Sequence, residues 1–392
     1  MNEAVNIPQL RFPEFTKALR RKSLGDFGYF YYGKSAPKWS VTEDAKTPCV
    51  RYGELYSTFG EYILDIKSHT NIPPENLKFS KGGEVLVPRV GEDPLDFAYC
   101  SFLPISDVAI GEMISVYNTK ESGLFFTYYI NSKLKKAFAR VVEGGNVSNL
   151  YYKYLENINV TIPSLDEQDK IIDFLSAVDN KIELLRQKQE LLGEYKKGLM
   201  QQIFSQAIRF KADDGSDFPD WEEKRLGGCI LENQKSQIQV NFVSDNTERD
   251  DVNIYPFFTS GNKALFTDSP IVEGDNIFLS TGGIATINFY SGKGSYSTDV
   301  FCISSVSENT RFIYYYLLSI LIKIDRKLFY GSGLKHLDKK AFRKIITTLP
   351  ALPEQTKIAN FLSSVDSKIE QVGKQLDESK QFKKALLQQM FV

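Results

Sequence analysis

Thr161–Glu183, TIPSLDEQDKIIDFLSAVDNKIE, and Thr348–Glu370, TLPALPEQTKIANFLSSVDSKIE, are one segment written twice. The copies stand 348 − 161 = 187 residues apart, and the likeness runs on through a KKxLxQQxF close that ends at Phe204 and Phe391. Solenoid repeats recur every roughly 20–50 residues, so an interval this long predicts two whole domains, each followed by one helix.

Both copies carry apolar residues in alternating steps of four and three. In the first these are Ile171, Leu175, Val178, Ile182, Leu185, Leu192, Leu199 and Ile203; in the second, Ile358, Leu362, Val365, Ile369, Val372, Leu376, Leu386 and Met390. The spacing predicts a coiled-coil seam, interrupted at Gln189, Lys196, Ser379 and Lys383 by polar residues of the kind that set register. The alternative is two amphipathic helices lying on separate cores. Ser164-Leu165-Asp166-Glu167 fits a capping box, while the second copy has Ala351 in place of the serine and Pro353 in the first turn. At about 1.5 Å per residue, some 40 helical residues span on the order of 60 Å.

The frame extends upstream. LRFPEF ends at Phe15 and SDFPDW at Trp221, and Leu-Gly follows each within ten residues, at Leu24-Gly25 and Leu226-Gly227. The expected layout is a first domain over 1–160, a helix over 161–210, a second domain over 211–347 and a second helix over 348–392. Inside the domains, short β-runs such as GEVLVPRV and DNIFLS are bounded by turn residues. LFFTYYINSKLKKAF and RFIYYYLLSILIKI are the best internal helices. The fold class predicted is α/β (α+β), two mixed-sheet domains with long helices and an internal repeat.

With 392 residues and 42% hydrophobic content the chain has enough apolar surface for real cores, so disorder is excluded. No basic-then-apolar leader and no apolar run near 18 residues is present, which leads us to expect neither export nor membrane insertion. Cys49, Cys100, Cys229 and Cys302 stand singly, as expected of buried thiols in a reducing cytoplasm. Two histidines far apart, His69 and His336, offer no zinc spacing.

The paired PxLxEQxKIxxFLxxVDxKIE helices, each preceded by a domain opening FP(D/E)(F/W) and Leu-Gly, closely resemble the specificity subunit of type I restriction-modification systems. That resemblance covers essentially the whole chain. It implies two target-recognition domains, separated by antiparallel helices, each reading one half of a split double-stranded DNA sequence. The helices Ile171, Leu175, Val178, Ile182, Leu185 and Ile358, Leu362, Val365, Ile369, Val372 would form a spacer that sets the unread gap. It further implies a non-catalytic chain without cofactor, docked by two methyltransferase subunits and by restriction (translocase and nuclease) subunits. S-adenosylmethionine, ATP and Mg would then sit on those partners.

The residues agree that catalysis lies elsewhere. No NPPY-like tetrapeptide occurs, and Gly292-Lys293-Gly294 and Gly331-Ser332-Gly333 lack the third glycine of a dinucleotide loop. Gly28–Ser35, GYFYYGKS, does satisfy the phosphate-loop pattern, but Pro37 argues against the helix that loop must open. Four bulky residues also occupy the stretch that should wrap phosphate, and the second half has Gln234-Lys235-Ser236 there. A nucleotide hydrolase, and a coiled-coil scaffold with two protein-binding domains, are the competing readings.

A net charge of −1 requires any DNA-binding surface to concentrate its cations. Candidate clusters are Lys17, Arg20, Arg21, Lys22; Lys133, Lys135, Lys136, Arg140; and Lys335, Lys339, Lys340, Arg343, Lys344. Two glycine-bearing loops precede the EQ helices at matching positions, Arg140–Asn149 and Tyr330–His336. From loop position and side-chain chemistry, the expected DNA contacts are Lys34, Arg89, Arg140, Asn146 and Asn149 in the first domain. Lys263, Ser295, Tyr296, Ser332 and Lys335 are their counterparts in the second.

Overall fold

A computed structural model describes residues 7–145, 147–238, 254–261 and 265–392. It divides into two compact units, 1–185 with 375–392, and 186–374. The long helices run Leu165–Phe204 and Leu352–Met390, so each unit holds one domain, the first half of the helix that follows it and the last part of the other.

In the first unit, Arg20–Ser23 pairs antiparallel with Asn159–Ile162 and closes the domain just before its long helix. A four-stranded antiparallel sheet follows, in the order Gly28–Tyr32, Ile114–Thr119, Glu84–Pro88, Ser101–Leu103. Glu84–Pro88, from the GEVLVPRV run, is buried at every residue. A continuous apolar run suits a strand covered on both faces. A second sheet orders Ser68–Thr70, Thr47–Val50, Ser106–Ile110 and Phe79–Lys81, with Thr47–Val50 parallel to Ser106–Ile110. Ser122 caps the buried helix Gly123–Tyr129 by accepting from the Phe125 amide, and a wider turn over Ile130–Leu134 leads into Lys135–Ala139.

The second unit repeats this plan. Glu222–Arg225 pairs with Ile346–Leu349, and Ile230–Glu232, Val300–Ser305, Asp275–Ser280 and Ile287–Ser291 form the antiparallel four-stranded sheet. Ser295–Tyr296 lies parallel to Tyr255–Phe258. Asn309 caps the helix Thr310–Ser319 through the Phe312 amide, and Leu321–Leu328 follows.

Both readings of the long helices hold in part. Ile171, Leu175 and Val178 join the first domain's core together with Leu386, Met390 and Phe391, and Ile182 packs at its edge. In the second unit Ile358 and Leu362 share a core with Met200 and Ile203. Each first half-helix therefore meets both its domain and the last turns of the other helix, running antiparallel to it. The closing phenylalanines dock alike: Phe391 lies 5.3 Å from Phe125 and 5.7 Å from Tyr129, while Phe204 lies 5.7 Å from Phe312 and 5.8 Å from Tyr316.

The expected capping box at Ser164 is replaced by something else. Glu167 is 2% exposed and takes two hydrogen bonds from Arg11, Nε at 2.7 Å and Nη2 at 2.8 Å. Glu354, fully buried, takes the same pair from Arg209 at 2.8 and 3.0 Å. A buried carboxylate needs a charged partner more than a helix start needs a second cap. The neighbouring Gln168 and Gln355 accept from the amides of Ser122 and Asn309, tying each long helix to the cap of its domain's helix.

Candidate nucleic-acid interface

The four-stranded sheet of each unit ends beside a short glycine hairpin. In the first unit Glu143–Gly144 pairs with Ser148–Asn149, which in turn pairs with Val90–Gly91. In the second, Phe329–Tyr330 pairs with His336–Leu337, and His336 bridges to Gly282. The backbone bonds match as well: Leu150 N donates to Arg89 O, and Leu337 N to Thr281 O, both at 2.9 Å.

Gly144 and Gly331 give the hairpins their shape. Their φ values are 121° and 146°, and a β-carbon there would stand 2.6 Å from Val147 O and 2.5 Å from Leu334 O. Only glycine fits such a turn without strain. The tips expose an aliphatic side chain in each unit, Val147 and Leu334.

Several expected contacts sit on or beside these hairpins. Arg140 is exposed at the end of Lys135–Ala139, where the chain enters the first hairpin, and Asn149 is half-buried in its return strand. Ser332 and Lys335 are exposed on the second. Arg89 follows the central strand directly, with its guanidinium 4.5 Å over the Tyr32 ring and 5.9 Å from that of Tyr151. Burial pushes the Tyr32 phenol above its ordinary value, while Arg89 pulls it the other way. Lys34 is exposed further along the sheet and donates to Glu75 O at 3.2 Å. Asn146 and Lys263 lie outside the described residues.

Ser295 and Tyr296 are corrected by the structure. They are 0% and 1% exposed, because their strand lies against Tyr255–Phe258 and the Tyr296 hydroxyl donates to Gln234 O. Neither side chain is exposed on the surface. The flanking glycines signalled a turn, whereas the residues themselves form the buried strand that the turn feeds.

The basic clusters are also smaller than they read. Arg20 donates to both oxygens of Glu121, at 2.7 and 2.6 Å. Lys339 and Arg343 share Glu232, at 2.8 and 2.6 Å. Burial pushes the Glu232 carboxyl up, but the bonds from Lys339 and Arg343 outweigh it and hold the group below its ordinary value. Lys133 donates to Gln388 O at 3.0 Å, and burial lowers its pKa.

Sequence reasoning missed the polar groove beside the second hairpin, lined by Ser260, Thr281, Ile284, Asp299, Leu334 and His336. Burial pushes the Asp299 carboxyl up, and the hydroxyls of Ser260 and Ser297 more than reverse that. The signal was present in Thr281-Gly282-Gly283, since Gly283 takes φ 80° and donates to Lys335 O.

The GYFYYGKS match is spent on a strand, Gly28–Tyr32, followed by an irregular loop in which Ser35 and Ala36 have φ of 64° and 57°. No helix opens there to present amides to phosphate. Among the described residues no cluster of histidine, cysteine, aspartate or glutamate suits a metal, and no helix is long and apolar enough to cross a membrane.

A family model described as the type I restriction modification DNA specificity domain matches residues 21–194 and again 219–379. The chain belongs to that family. Its two matches fall on the two halves of the internal repeat. A specificity subunit assigned to the type I restriction enzyme MjaX of Methanocaldococcus jannaschii is 29% identical over 264 residues, 62% of this chain and 60% of that relative's length. The MjaVIII specificity subunit of the same organism is 26% identical over 294 residues, 66% of this chain and 67% of that protein. The fold is similar to that of the crystallised type I S subunit from M. genitalium, at a TM-score of 0.68, 16% identity and 99% coverage of both chains.

Proposed function

We propose that this chain is the DNA-reading subunit of a type I restriction-modification complex and that it recognises a bipartite double-stranded target. Each unit reads one half-site with the surface around its glycine hairpin. The observation that carries this reading is the repetition of that hairpin, at the same strand end and with the same strained glycine, in a chain of a DNA specificity family. Phosphate contacts come from exposed cations such as Lys34, Arg140 and Lys335, and base contacts from side chains such as Arg89, Asn149 and Ser332. The long helices act as the spacer between half-sites.

In this reading the chain carries no catalytic centre. Two methyltransferase subunits dock on it and methylate adenine with S-adenosylmethionine, and restriction subunits join to translocate and cut with ATP and Mg, all in the cytoplasm. The test is a genome-wide map of methylated adenine in the source cell, with and without this gene. Loss of methylation at one split motif supports the proposal and gives both half-sites. An unchanged map, together with no sequence-specific DNA binding by the chain and its purified partner subunits, overturns it in favour of a protein-binding scaffold.

A further inference from the structure

Arg89 differs from Arg11, Arg20 and Arg51, three other arginines of the first domain. Arg11, Arg20 and Arg51 each pair with a carboxylate, as do Arg209 and Arg343 in the second unit. Arg89 has no carboxylate within ion-pair distance among the described residues. Its Nε is buried with no hydrogen-bond partner, and Nη1 has only a long contact to Glu112 O at 3.5 Å. Arg20 and Arg51 share the unpartnered Nε but each has a carboxylate, whereas among the described residues the Arg89 charge has none and is left for a partner outside the chain.

The side chain is held in place all the same. The Arg89 amide donates to Met113 O at 3.0 Å and its carbonyl accepts from Leu150 N at 2.9 Å, pinning the backbone between the sheet and the hairpin. Tyr32 lies 4.5 Å from the guanidinium carbon and itself packs 4.5 Å from Tyr152, with Tyr151 on the hairpin side. With one aromatic ring 4.5 Å from its central carbon and a second at 5.9 Å, the guanidinium has its edge to offer, a planar fork that matches two acceptors in one plane. The major-groove edge of guanine, with O6 and N7, is the base edge that answers it.

We propose that Arg89 reads a guanine in the half-site of the first domain. This rests on the DNA-reading function proposed above. The equivalent position in the second unit is Thr281, whose hydroxyl is already committed to Asp299 O at 2.8 Å. That position therefore brings no arginine to the second half-site.

The test compares the adenine-methylation motif set by the wild-type chain with that set by Arg89→Gln, Arg89→Ala and Arg89→Lys. Binding of each purified complex to duplexes carrying all four base pairs at each motif position provides a second readout if methylation is lost. The expected result is a guanine in one half-site whose preference falls about tenfold to a hundredfold in the Gln and Ala variants. Arg89→Lys keeps the charge but not the fork and restores only part of it, and the other half-site is unchanged. A loss of affinity uniform across all duplexes, with the salt slope reduced by about one, identifies a phosphate contact and overturns the proposal. An unaltered motif, or no guanine in the affected half, overturns it as well. A wild-type chain that marks no split motif fails at the parent reading instead, before any variant is compared.

Discussion

Asp179 and Lys383 form an ion pair at 2.7 Å, and the Tyr128 hydroxyl donates to the same carboxylate. The second unit holds the same trio, with Asp366 and Tyr315 one repeat interval after Asp179 and Tyr128 and Lys196 one interval before Lys383: Asp366 bonds Lys196 at 2.5 Å and Tyr315 at 2.6 Å. In each unit a residue of the domain's helix, one of the long helix that follows it and one of the other long helix meet at a single carboxylate. The lysines also lie over the tyrosine rings, at 5.1 Å for Lys383 and 5.2 Å for Lys196. Burial, with the neighbouring aspartate second, keeps both phenols protonated as donors.

These trios occupy the seam positions whose lysines looked out of place, and they hold each helix pair in register. We expect Lys383→Ala to cost about 1–3 kcal/mol, between the values for exposed and fully buried pairs, because Asp179 is left half-buried without its cation. A double-mutant cycle with Asp179→Ala, read by urea unfolding, should show a coupling of about 1 kcal/mol or more. Strict additivity would remove the register role.

Glu354 has no exposure at all and pairs with Arg209. Glu354→Ala should destabilise the second unit by about 3 kcal/mol or more, since it strands a guanidinium as well as opening a hole. Arg209→Ala should cost no less, because the charge it abandons is the more deeply buried one. Midpoints of denaturant unfolding for the two variants check this. Changes within about 0.5 kcal/mol would show that the pair is solvated in solution.

The pH dependence follows from Glu121. The hydrogen bonds from Arg20, opposed by burial, hold its carboxyl below the ordinary value of 4.5. A depressed folded-state pKa means that the unfolded chain takes up the proton first, so this contribution is fully present above pH 4.5 and is lost as the pH falls below it. Stability measured from pH 7 downward should therefore decline more steeply for the wild type than for Arg20→Ala. Parallel curves would show that the pair makes no difference between the folded and unfolded states.

Gly331→Ala places a methyl against the Leu334 carbonyl at a backbone conformation costly for alanine, by about 1–3 kcal/mol. The hairpin is short and peripheral, so the expected outcome is a unit that stays folded by circular dichroism while recognition at one half-site is lost. Gly144→Ala should do the same to the other half-site. Intact recognition in either variant would separate that hairpin from the DNA surface.

Much of the architecture was legible because it is periodic or repeated. The long helices, the strand at GEVLVPRV and the duplicated frame each follow from neighbours a few residues apart or from a copy elsewhere in the chain. The same interval carries Gly144 onto Gly331, so the two glycine-bearing loops were legible as a pair, though not their pairing as hairpins. Side-chain partnership was not legible in this way. Glu167 looked like half of a capping box, and the hint against it was that Glu354 persists where Ala351 has removed the serine.

The sequence by itself determined that this chain is a tandem pair of domains with paired amphipathic helices, belonging by its motifs with DNA specificity subunits. Periodicity and repetition are properties of one dimension, and they survive without knowledge of the fold. Only the tertiary structure decided which cations are free. Lys383 finds Asp179, Arg11 finds Glu167 and Arg20 finds Glu121 across long stretches of chain, while Ser295 and Tyr296 are turned inward by a strand partner that no local pattern announces. Charge neutralisation and burial depend on what lies within a few ångströms in space, and for Arg89 that neighbourhood supplies the rings of Tyr32 and Tyr151 and, among the described residues, no carboxylate.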